Sequence, residues 1–94
     1  MATQGTATLA FGVTPTDSTS VAVTGQGSIL TTSAAEAWIM GATTGTNNEA
    51  FHLQGGGLIR CTCGIPTAGV GFTIYGEVIA GRVTGDFTVQ WVWS

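Results

Sequence analysis

From Phe87 to Trp93 every second residue is large and apolar: Phe87, Val89, Trp91 and Trp93. Thr88, Gln90 and Val92 fill the positions between them. A period of two is the pattern of a strand with one face turned to a core; a helix would scatter these four side chains around its axis. The fold must therefore supply a second layer to cover this face, and sheet packed on sheet is the simplest way to do so.

The same period recurs upstream. Residues 6–13 place Ala7, Leu9, Phe11 and Val13 on one face, with Thr and small residues on the other. After the turn signals Thr14-Pro15-Thr16-Asp17, the alternation of Thr19, Val21 and Val23 against Ser18, Ser20 and Ala22 predicts a second strand paired with the first. Residues 33–41 carry two signals. Ser33 and Glu36 match a capping box, but a helix would have only two turns before Gly41, so the Glu36–Met40 stretch is read as a buried strand. Residues 42–57 form a long connection, with residues 49–53 as one possible helical turn.

Leu58 to Cys63 reads as a short strand and Gly64-Ile65-Pro66 as a turn. Gly71 to Ile79 is a longer strand, with Phe72, Ile74 and Val78 facing one way and Tyr75 and Ile79 the other. Ala80-Gly81 suggests a tight hairpin, and Gly85 a bulge at the start of the closing strand. Residues 1–94 are thus expected to form a single all-β domain, a small β-sandwich or jelly-roll-like barrel of about six to eight antiparallel strands.

Composition bears on what such a domain meets. Only seven of 94 residues are charged and none is lysine, whereas about a quarter is usual. No apolar run is long enough to span a bilayer, so a membrane is not the expected partner. Sparse charge instead suits a chain covered by neighbours, a homo-oligomer or a subunit among other chains. Two arginines and a net charge of −3 leave little to neutralise a phosphate backbone, so no nucleic acid is expected. No export signal is recognised at the start.

Candidate sites are few. Glu49 and His52 stand three apart, a spacing that puts carboxylate and imidazole on one face of a helical turn. Four-coordinate zinc would need two more ligands, with Cys61 and Cys63 the remaining soft candidates; a loop contact is the favoured reading, so no metal or cofactor is expected. The two cysteines sit too far apart along a strand to bridge easily and read as two buried thiols. Nothing in the sequence pairs Glu36, Glu77 or Asp86 as hydrolytic carboxylates, and Arg60 and Arg82 are the expected counterions. No nucleophile elbow, phosphate loop or dinucleotide fingerprint occurs, so no catalytic residue is assigned and the chain is not expected to be an enzyme.

Aromatic residues carry the remaining expectations. Trp93, one residue from the end, looks hard to bury within its own domain, so Trp91 and Trp93 are assigned to an intersubunit interface. Phe51 and His52, in the loop from Thr43 to Gly57, are expected to reach the same neighbour. The alternative is a glycan-binding platform of Trp38 with Asn47 and Asn48, helped by Gln54 and Gln90.

Four stretches, residues 36–40, 49–53, 69–75 and 83–92, together resemble small virion structural proteins of tailed bacteriophages. Cys61-Thr62-Cys63 and Gly55-Gly56-Gly57 depart from that pattern. The resemblance attaches no catalytic residue or ligand. It implies a virion component made in the host cytoplasm, of the capsid decoration or cement kind. Such a subunit would pack as a trimer, or between copies of the major capsid protein; a tail, collar or fibre subunit is the near variant.

Overall fold

The computed structural model describes residues 3–42, 44, 52, 57–79 and 81–94. Six strands follow in order: β1 (Thr3–Ala10), β2 (Ser18–Val23), β3 (Ala35–Ile39), β4 (Ile59–Cys63), β5 (Phe72–Val78) and β6 (Asp86–Trp93). They form two antiparallel three-stranded sheets, β1-β6-β3 and β2-β5-β4. The chain is therefore all-β, as expected, and its two sheets pack as a small sandwich. Among the described residues no helix is long and apolar enough to cross a membrane.

The closing strand is the centre of the first sheet, paired with β1 on one side and β3 on the other. Its apolar face is the core: Phe87, Val89, Trp91 and Trp93 are all buried. β5 occupies the same place in the second sheet, burying Phe72, Ile74 and Val78 and exposing Tyr75, with Ile79 exposed just past its end. Leu9, Phe11, Val23, Ile29 and Ile59 complete the cluster. Each such side chain contributes roughly 1.5–3 kcal/mol by leaving water.

Two glycines make room in this core. Gly5 lies opposite Trp91 in the β1–β6 ladder, and a Cβ there would overlap the indole ring. Gly76 faces inward on β5, where a Cβ would sit 2.6 Å from Leu9 Cδ1 of the other sheet. Trp91 also meets Phe72 edge to face across the sandwich, with centroids 5.6 Å apart. Its Nε1 is buried without a hydrogen-bond partner among the described residues, so large apolar contact area sits beside one unsatisfied donor.

Several expectations are corrected. β1 and β2 do not pair: β1 joins β6, β2 joins β5, and residues 11–17 carry the chain from one sheet to the other. Turn residues mark where a strand ends and leave its partner open. The supposed Ala80-Gly81 hairpin also fails, because β5 and β6 belong to different sheets; Ala80 itself lies outside the described residues. Among the described strands only β4 and β5 are consecutive and hydrogen-bonded to each other, closed by Gly64 N–H to Thr73 O and Thr67 N–H to Gly71 O.

The irregularity expected at Gly85 is present. Phe11 N–H donates to Gly85 O at 2.9 Å, while Gly85 N–H donates to Gly12 O at 2.8 Å, so two residues of the β1 side oppose one. Gly12 and Gly85 take φ of 84° and 83°, a region that favours glycine. An extra residue reverses the inside–outside alternation beyond it. Val13, expected to share the inward face of Leu9 and Phe11, is instead 96% exposed.

Candidate interaction surface

The residues expected to anchor a partner are mostly inside the chain. Trp93 is 8% exposed and its Nε1 donates to Gln26 Oε1 at 2.9 Å. The chain end that seemed unable to cover it is pinned instead: Ser94 and Ala34 exchange two backbone hydrogen bonds of 3.0 Å. Gln26 from the β2–β3 connection then closes over the indole. Trp91 is buried as well. Neither tryptophan presents the surface that an interface anchor needs, which corrects that assignment.

His52 is corrected in the same sense, at 1% exposure. Its ring packs on Phe87 with centroids 5.3 Å apart, and its Nε2 accepts the backbone N–H of Thr88 at 2.9 Å. Beside it, Thr44 Oγ1 donates to Asp86 O at 3.1 Å. These two side chains bond the edge of β6 beyond the end of β3. With Nε2 already engaged, His52 does not offer that nitrogen to a metal. Glu49, Phe51, Asn47, Asn48 and Gln54 lie outside the described residues. Among the described residues no group of three or more His, Cys, Asp or Glu is placed to hold a metal ion.

The carboxylates are dispersed. Glu36 and Glu77 are exposed on strands of opposite sheets. Glu36 pairs with Val92, six residues along β6 from Asp86, about 20 Å at strand rise. Glu77 faces Arg60 directly across the β4–β5 ladder, with Nη2 to Oε1 at 3.6 Å. Both side chains are 67% exposed, so this cross-strand pair contributes at most about 1 kcal/mol.

The large aliphatic side chains that reach the surface among the described residues lie toward the two ends of the sandwich. Val13, Leu58 and Ile79 are exposed where β1 and β5 finish and β4 begins. Leu30, Ile65 and Val70 are exposed at the other end, beside the close of β4 and the start of β3 and β5. The Cα trace as a whole measures 35 × 20 × 19 Å. Each outer sheet face carries one large aromatic among smaller or polar neighbours. Trp38 lies in register with Gln90 and Thr6, and Tyr75 with Ser20 and Thr62.

The open β3–β4 side holds a groove of about 360 Å³ lined by Ala35, Glu36, Ala37, Trp38, Cys61, Thr62 and Cys63. The thiols are free and half-buried, packed against the core rather than fully within it. Burial, with the Cys63 charge adding to it, pushes the Cys61 thiol up to about 11. Cys63 is raised by burial and then by Glu36. Sequence periodicity showed that the two cysteines share a face; the β3 residues opposite them became visible only in the folded chain.

No family model, no curated protein and no solved structure matches this chain.

Proposed function

We propose that the chain is a structural subunit of a larger protein assembly, of the kind that decorates or cements the capsid of a tailed bacteriophage. The observation that carries the assembly reading is the placement of six exposed aliphatic side chains in two groups at opposite ends of the sandwich. Surface with seven charges in 94 residues does little to keep such ends apart, so contact with neighbours stabilises them. The virion context rests on the sequence resemblance. In this reading the work is done by buried area, without catalysis, and the interface lies at the ends rather than at Trp91 and Trp93. Partners are further copies of the chain, a trimer being favoured, and the major capsid protein.

The mass of the purified chain in solution tests the assembly. Oligomers that dissociate in Val13→Asp/Ile79→Asp or Leu30→Asp/Ile65→Asp variants support it, and a stable wild-type monomer at high concentration that also fails to bind capsids sinks it. Particles lacking the chain should lose resistance to heat; unchanged particle stability counts against the cement role.

One arrangement favours a second reading. Trp38 is 46% exposed and stands beside Gln90 in the β3–β6 ladder, an aromatic face next to an amide that can both donate and accept. That pairing suits a sugar ring. A glycan array with wild type and Trp38→Ala separates the two readings, since only glycan binding predicts Trp38-dependent signal.

A further inference from the structure

We propose that Cys61 and Cys63 form a two-coordinate site for a soft monovalent metal ion of the Cu(I) class on the open β3–β4 side of the sandwich. Both side chains leave the same face of β4, while Thr62 between them points to solvent. Strand rise sets their Cα atoms about 6.7 Å apart. A linear sulfur–metal–sulfur unit needs sulfurs roughly 4.5 Å apart, twice a metal–sulfur bond of about 2.3 Å. Closing the sulfurs from the strand spacing takes about 1 Å of side-chain displacement each, within the reach of a χ1 change.

The surroundings select this chemistry. Ala35 and Ala37 line the groove as small apolar neighbours, leaving space beside the sulfurs. No third and fourth ligand converge among the described residues, which disfavours tetrahedral zinc and leaves an ion content with two thiolates. Binding replaces two S–H bonds by two metal–sulfur bonds and releases two protons to solvent, with no change in the oxidation state of Cu(I) or sulfur.

The test is an anaerobic titration of the reduced chain with Cu(I) against the chromogenic chelator bicinchoninate. Expected are one ion withheld per chain, two protons released, and a near-ultraviolet thiolate-to-copper band. All three should be lost in Cys61→Ser and in Cys63→Ser, with far-ultraviolet circular dichroism confirming that both variants fold. Zn(II) should leave the thiols free to react with a colorimetric reagent. The proposal is overturned if the chelator keeps all the copper, if either single serine variant still binds it, or if one ion is held per two chains.

Discussion

His52 Nε2 stands where a strand carbonyl would stand. Met40 N–H donates to Thr88 O at 3.1 Å as the last rung of the β3–β6 ladder, and a regular ladder would return a bond from Thr88 N–H to Met40 O. Instead Thr88 N–H goes to the imidazole at 2.9 Å. A side chain thus completes the edge of the central strand after its backbone partner has turned away.

Replacing His52 by Phe keeps a ring against Phe87 and removes the acceptor. The part-buried Thr88 N–H then loses its partner, and stability should fall by about 0.5–1.5 kcal/mol, the net scale of one such hydrogen bond. Urea unfolding measures the loss, and faster hydrogen exchange at the Thr88 amide locates it. Unchanged exchange at that amide would show that the imidazole bond contributes nothing.

Gly5→Ala and Gly76→Ala should both destabilise, by about 1–3 kcal/mol, although alanine normally improves on glycine in a strand. Gly5 is the costlier position because its neighbour is the rigid Trp91 ring, whereas Gly76 meets the end of the Leu9 side chain. Shortening that side chain in Leu9→Val should recover part of the Gly76→Ala loss. Thermal unfolding of the single and double variants reads the coupling.

Trp93→Ala should cost about 3–5 kcal/mol of folding stability, the scale of a buried aromatic truncation. The Ile79→Asp change, at an exposed position, should stay within about 0.5 kcal/mol for the isolated subunit while weakening assembly. Denaturation and sedentation-based mass measurement on the same samples separate the two effects. If Trp93→Ala dissociates an oligomer without destabilising the subunit, the tryptophan is an interface residue after all.

Alkaline pH should weaken the fold through Cys61. Its folded value is raised from 9.0 to about 11, so between these values the unfolded chain has lost a proton that the folded chain retains. Stability from this group is fully present below pH 9 and declines as pH rises toward 11. Absorbance of the thiolate near 240 nm should rise late in the folded chain, and Cys61→Ser should flatten the decline.

Strands were legible because their signal is local. The alternation in β6 and β5 named the inward residues correctly, and the stretch read as a strand over Glu36–Met40 is one, β3 (Ala35–Ile39), despite its capping-box pattern; it was expected to be buried but is an edge strand with Glu36 and Trp38 exposed. The end of β1 was less legible: an extra residue, Gly12, turns Val13 outward, and nothing in the local pattern distinguishes a bulge from a continuing strand. Trp93 was misread for a related reason. Proximity to the chain end suggested exposure, whereas Gln26 and the Ser94–Ala34 pair, distant in sequence, cover and pin it.

The sequence by itself determined the all-β class, the glycine punctuation and which face of each strand is apolar, since side-chain alternation follows from backbone geometry residue by residue. Tertiary structure alone decided which strands pair, that β1 and β2 part into different sheets, and that His52 and Trp93 turn inward. It also placed the aliphatic residues at two ends and brought Ala35 and Ala37 opposite the cysteines. Those outcomes depend on contacts between residues far apart in the chain, and free energy is gained only when both partners leave water together.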